Sequence, residues 1–179
     1  NAYIKKLVES KFKNDSLNLY ISNSLKRSLD NIDDEDVDVK VLKGVVFISL
    51  SDGLLYKSGS YDVLPSAESV LAKVAGIIND YQDYDVLVEG HTDNESFSGS
   101  GVIKDNWDLS AKRATSVVRL LQTKFAVDPE RMTAGGRGEF EPQSANSSRS
   151  GRKLNRRTEI IVTPKLDQFF NLLSAPSGK

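Results

Sequence analysis

"YDVLVEGHTDN", residues 84–94, decides the fold. Val86, Leu87 and Val88 form a nearly continuous apolar run of β-formers, the pattern of a strand covered on both faces. Gly90 ends the run, and His91, Thr92 and Asp93 follow it. Amphipathic segments flank the strand. Upstream, Pro65 is placed to start a helix, and Val70, Leu71, Val74, Ile77, Ile78 and Tyr81 follow at helical intervals. Downstream, a helix beginning near Asp108 carries Ala114, Val117, Val118, Leu121 and Phe125 on one stripe. A strand between two such helices belongs to an α/β protein, and polar residues at its C-terminal end stand where open sheets keep their sites.

Further strands complete the sheet. Val37, Val39 and Val41 alternate with polar residues, "KG" (43–44) makes a turn, and "VVFISL" (45–50) follows, which predicts a β-hairpin. "RMTAGG" (131–136) is a short strand, and "RRTEIIVTP" (156–164) is a last one closed by Pro164. The hairpin and the last strand need no crossover helix, so the expected fold is a two-layer α/β sandwich: a mixed sheet with helices packed on one face. Residues 51–64, 95–105 and 137–155 read as loops. "GGRG" (135–138) matches neither phosphate-binding glycine pattern and reads as a turn. Residues 1–14 are Lys-rich without a convincing apolar face, whereas Leu17, Ile21, Leu25 and Leu29 recur every four residues, with Asp15 as an N-cap. The expected division is an N-terminal helix and acidic linker over 1–36, one domain over 37–165, and a tail over 166–179 in which "KLDQFFNLL" adds a helical turn or two.

Composition removes several classes of function. The 179 residues are 39% apolar and 27% charged with a formal charge of −1, an ordinary globular balance that gives no overall field towards nucleic acid. Cysteine is absent, which excludes disulfides, thiol catalysis and Cys-based zinc sites. No apolar run approaches a membrane span, and a chain that opens on Asn1 is expected to be a fragment whose anchor, if any, lies upstream. His91 is the only histidine. His-x-Asp occurs in metal sites and catalytic pairs, but no second histidine or cysteine completes a ligand set and no nucleophile motif accompanies it. His91 is therefore expected to hydrogen-bond the strand end and nearby loops, with no catalytic residue, metal or cofactor.

Four blocks in order carry a resemblance: "VEGHTDN", "NWDLSAKRATSVVRLL", "DPERMTAGGRGEFEP" and "GRKLNRRTEIIV". Together they resemble the OmpA-like C-terminal domain shared by outer-membrane OmpA proteins, the peptidoglycan-associated lipoprotein and the stator protein MotB. The match runs collinearly from about Val45 to Thr163, and the long 95–105 loop is closest to the MotB branch. The resemblance implies non-covalent binding of peptidoglycan through the diaminopimelate of its stem peptide, and a periplasmic domain that ties an outer-membrane or motor component to the wall. It assigns the ligand ammonium to Asp93 and the ligand carboxylate to Arg113. Asn106, Leu109, Arg156, Tyr56 and Thr92 complete the implied pocket.

The chemistry agrees with that assignment. The free end of diaminopimelate is a small zwitterion, so a receptor needs an anionic acceptor beside a forked cationic donor, and arginine serves the second task better than lysine. A helix start at "NWDLS" would add free N–H groups near Leu109 and Ser110. Leu109 and Arg113, four apart, share one side of that helix, with Arg113 at an exposed rim. Asn106 either caps the helix or holds the ligand, and Trp107 reads as a packed lid. Tyr56 belongs to the pocket mouth or to the core. The basic run "SRSGRKLNRR" (148–157) could contact phosphates, but no nucleic-acid motif accompanies it; Arg156 should face the ligand and Arg157 the opposite side. Two rivals stand beside wall binding: a wall hydrolase built on His91 and Asp93, and a partner-binding or homodimerising module using the N-terminal helix.

Overall fold

The computed structural model describes residues 2–97 and 101–165. Five strands form one open sheet in the order β1–β2–β5–β3–β4, with β1 Val37–Leu42, β2 Val45–Ser51, β3 Tyr84–His91, β4 Met132–Gly138 and β5 Arg157–Pro164. The β3–β4 pair is parallel and every other pair antiparallel, so the sheet is mixed. The first hairpin turns through Lys43 and Gly44, both with positive φ, the mirror-image turn whose twist suits a two-residue connection.

Alternation along the strands divides the sheet into two unlike faces. Val46, Ile48, Leu50, Val86, Val88, Ile160 and Val162 point to one side and are buried. They meet Leu71, Val74 and Ile78 of α3 (Glu68–Asp80) and Val117 and Leu121 of α4 (Asn106–Phe125) in a single core. Burying each such aliphatic side chain stabilises the fold by roughly 1.5–3 kcal/mol. The other face carries Phe47, Leu87 and Ile161 among Glu89, Arg137, Arg157 and Glu159, and a shallow depression lies over it. Among the described residues no helix packs there. The expectation that β3 is covered on both faces is therefore corrected: Asp85 is exposed and Leu87 half-buried, and the apolar run reflects a strand paired on both edges, by β5 and β4.

α4 seats unusually close to the sheet. A Cβ on Gly90 would stand 2.1 Å from the carbonyl oxygen of Ser110, and one on Gly136 would stand 2.7 Å from the Ala111 nitrogen. Both positions need glycine because helix backbone occupies the side-chain volume. "GGRG" is thus the end of β4 and not a turn, and its glycines admit the first turns of α4.

Three helical segments depart from the sequence reading. α1 runs from Ala2 to Ser28, so Asp15 lies inside the helix and is not its N-cap. Ile21, Leu25 and Leu29 are buried against the domain, and Asn18 Nδ2 donates to the Gly44 carbonyl at 2.7 Å. Residues 4–9 are exposed throughout, Ile4 at 62%. The loop over 51–64 contains α2 (Asp52–Leu55), capped by Ser51, and the loop over 137–155 contains α5 (Arg149–Asn155), capped by Ser148. The tail over 166–179 lies outside the described residues. No helix among the described residues is long and apolar enough to cross a membrane.

Candidate functional site

β3, α4, α2 and β5 all direct polar side chains to one end of the sheet. They line a cleft of about 990 Å³ that includes Asp52, Tyr56, Thr92, Asp93, Asn106, Leu109, Arg113, Lys153 and Arg156. All seven residues expected at the site lie in this lining. The strand end brings Thr92 and Asp93, the first two turns of α4 bring Asn106, Leu109 and Arg113, and the residue before β5 brings Arg156.

Asp93 and Arg113 are both buried and neither pairs with the other. Asp93 Oδ1 accepts the Glu95 N–H at 3.0 Å, and Oδ2 accepts a short hydrogen bond from Arg156. Arg113 pairs with Asp52 at 2.6 Å and donates from Nε to the Ser60 carbonyl at 2.9 Å. Its guanidinium also lies 4.9 Å from the Tyr56 ring centroid, within cation–π reach. The Asp52 N–H donates to the Arg156 carbonyl at 3.1 Å, so the two ion pairs are joined through the backbone. The result is a neutral set of two carboxylates and two guanidiniums. Burial pushes the Asp52 carboxyl above its ordinary value, with Arg113 pulling the other way.

Several expectations need correction here. Arg113 is 3% exposed, so it is a buried cation woven into the fold and not a rim residue. Asp105, not Asn106, caps α4 through the Asp108 N–H. Asn106 Nδ2 instead donates to the carbonyls of Asp93 and Glu95 and to Glu139 Oε2, which fixes the turn that carries Asp93. Because the helix starts two residues earlier than expected, the Leu109 N–H is spent on the Asp105 carbonyl and is not free for a ligand. Tyr56 is 2% exposed, yet it belongs to the cleft lining; its hydroxyl donates to the Arg113 carbonyl at 3.0 Å. Trp107 is half exposed and stacks on Phe140 with centroids 5.1 Å apart, so it covers no core. Thr92 is held by its N–H to the Gly138 carbonyl and by Oγ1 to the Asp93 carbonyl.

His91 does not make the hydrogen bonds expected of it. Both ring nitrogens are buried without a partner, on the open face of the sheet and not in the cleft. Burial and the charge of Arg157 push its pKa down to about 4, so the ring is neutral. The basic run at 148–157 is largely neutralised: Arg152 pairs with Glu95, Lys153 with Glu35, Arg156 with Asp93 and Arg157 with Glu159. Arg156 and Arg157 do point to opposite sides, as strand alternation requires. Asp52 is the site residue that sequence reasoning missed. "SDG" reads as turn chemistry, and only the cap made by Ser51 would have hinted at a helical turn that aims Asp52 inward.

Residues 55–156 match the family model described as the OmpA family. The chain belongs to the OmpA family. It is 33% identical over 147 residues to a Bacillus subtilis protein named YtxE, covering 82% of this chain and 57% of that one. The chain spans about half the length of curated relatives that it matches. Among solved structures, a MotB-like protein from Desulfovibrio vulgaris superposes with a TM-score of 0.78 at 25% identity, covering 86% of this chain and 94% of that one. The cell wall anchor of the T6SS from Pseudomonas aeruginosa superposes with a TM-score of 0.71 at 33% identity, covering 79% of this chain and 97% of that one.

Proposed function

We propose that this chain binds peptidoglycan without cutting it, through the zwitterionic end of diaminopimelate, and so ties an envelope protein to the cell wall. The observation that carries the reading is the cleft that gathers two ion pairs, Asp93 with Arg156 and Asp52 with Arg113. A zwitterion entering this set adds one ammonium and one carboxylate and leaves its net charge at zero. Its ammonium faces Asp93, where Arg156 is the group that gives way or shares the carboxylate. Its carboxylate faces Arg113, whose planar fork stays aimed by Asp52 and the Ser60 carbonyl. Leu109 supplies the apolar floor for the methylene stem.

Family membership supports the reading, as does the likeness to the wall anchor, a protein described by that role. A location in the periplasm and attachment through a segment preceding the domain belong to the same proposal. The likeness to the MotB-like structure favours a stator component as the narrower version.

Co-sedimentation with purified diaminopimelate-type sacculi tests it. Wild type should pellet with the wall material, and Asp93→Asn, checked for folding by circular dichroism, should stay in the supernatant. Wild type that remains soluble, or sacculi that release soluble fragments on incubation, would overturn the reading.

A further inference from the structure

On the open face of the sheet, away from the cleft, His91 sits under a cluster of acids. It is 1% exposed, and neither ring nitrogen has a hydrogen-bond partner. Buried polar groups are almost always hydrogen-bonded, so an orphaned imidazole calls for an explanation. The nearest polar atoms are Glu89 Oε2 at 3.7 Å and Glu159 Oε2 at 3.9 Å from Nε2, both too long for hydrogen bonds. Glu89 and Glu159 are direct cross-strand partners on β3 and β5. Their other oxygens are taken: Glu89 Oε1 by Arg137 Nε at 3.0 Å, and Glu159 Oε1 by Arg157 Nε at 2.7 Å and by Gln143. What remains is two carboxylate oxygens turned towards one buried ring nitrogen. Glu141, on the segment after β4, joins them: one donor atom from each of Glu89, His91 and Glu141 lies within 4.8 Å of the other two.

We propose that Glu89, His91 and Glu141 form a site for a divalent transition-metal ion of the zinc class, which staples β3 to the segment following β4. Ligand atoms bound to such an ion at about 2.0–2.2 Å stand roughly 3.0–3.5 Å apart, so the observed spacing needs only a modest closing. An imidazole donor favours zinc, nickel or cobalt over calcium or magnesium. Elimination by counting histidines and cysteines misses this site, because carboxylates supply the remaining ligands.

Charge sets how the site would fill. Glu89, Glu141 and Glu159 face Arg137 and Arg157 across the cluster. Arg157 is buried and fixed, donating also to the carbonyls of Asn155 and Glu141. Arg137 is about half exposed, at 51%, and lies 3.5 Å from Glu141 as well as against Glu89. When Arg137 swings into solvent, three carboxylates and one guanidinium are left, a net charge of −2 that matches the ion. Arg137 is therefore a built-in competitor, and removing it should tighten the site.

The test uses tag-free full chain, because a histidine tag would bind the probe. With Zn2+ added after chelator treatment, isothermal titration should give one saturable site per chain and a rise in Tm. Co2+ should give the visible bands of a nitrogen-containing site. Since His91 is the only histidine, its ring Cε1–H resonance should be a single signal that shifts on Zn2+ binding and broadens or shifts strongly with Co2+. Glu141 is 59% exposed, so Glu141→Gln should keep the fold while weakening Zn2+ at least tenfold, and Arg137→Met should strengthen it. The absence of saturable binding by either ion, an unmoved His91 signal, or a Glu141→Gln affinity equal to wild type would each overturn the proposal.

Discussion

Arg113 and Asp52 meet at 2.6 Å inside the cleft, and this pair holds the guanidinium in line with the space above Leu109. The Asp52 carboxyl lies above its ordinary value because burial outweighs the attraction of Arg113. A carboxyl raised in the native state binds its proton more tightly there than in the unfolded chain, where the pKa is about 3.9. The stability that ionised Asp52 withholds is therefore fully withheld above the folded pKa and recovered as the pH falls towards the unfolded one. Asp52→Asn leaves Arg113 buried without its counter-ion, so the Tm should fall at pH 7, and the contribution of Asp52 to the pH dependence of stability should disappear. Wall binding should fall about tenfold, since Arg113 loses its aim. Thermal melts across pH 4–7 alongside sacculus binding check both halves, and an Asn variant that keeps the wild-type pH dependence would count against them.

Asp93→Asn isolates charge from shape. The amide keeps an acceptor for the Glu95 N–H, so the turn should survive, while the anionic partner of the ligand ammonium is lost. A charge-assisted hydrogen bond contributes about 1.5–3 kcal/mol, which corresponds to roughly 10- to 150-fold in affinity. Titration with a diaminopimelate-containing muropeptide measures the loss.

Arg113→Ala should damage both fold and binding. Its removal leaves Asp52 buried and unpaired and the Ser60 carbonyl without its donor, a kind of loss that costs about 3–5 kcal/mol. Arg113→Lys should recover part of the Tm but little of the binding, because an ammonium cannot keep Asp52 and Ser60 while presenting a second parallel donor. Equal binding by the lysine variant would remove the forked contact from the account.

Gly90→Ala should fail well away from any charge. The new methyl would lie 2.1 Å from the Ser110 carbonyl oxygen, so α4 must lift from β3 and carry Asn106, Leu109 and Arg113 with it. Overpacking of this sort costs typically 1–3 kcal/mol, and contact with backbone places this case at the upper end or beyond. Chemical denaturation should show a lowered midpoint, with wall binding reduced although no cleft side chain has changed.

The sheet, α3 and α4 were legible because each displays its period: alternation in Val46, Ile48 and Leu50, and helical spacing from Val70 to Ile78 and from Ala114 to Leu121. The first half of α1 has no such mark. Its exposed Ile4, Leu7, Val8 and Phe12 are mixed with lysines, and helix there follows from residue propensity and from continuity with the packed turns beyond Leu17. α2 and α5, at four and seven residues, are too short to show a stripe, and only their serine caps betray them. The cleft residues could be assigned by resemblance, but their partners could not. Which acid reaches Arg113 depends on how the 60 residues between it and Asp52 fold back, and no local pattern encodes that distance.

β5 is the last strand among the described residues and the middle strand of the sheet, hydrogen-bonded to β2 on one side and β3 on the other. A ribosome delivers residues in order, at roughly 5–20 per second, so the hairpin, α1, α3, α4 and β3 emerge before the strand that joins them. Until Arg157–Pro164 has left the exit tunnel, β2 and β3 offer open edges to any neighbouring chain, and Arg156 has not arrived to meet Asp93. Maturation of the cleft and closure of the sheet are thus one late event. A nascent chain stalled short of Arg156 would have neither, and would be a natural client for chaperones that shield strand edges.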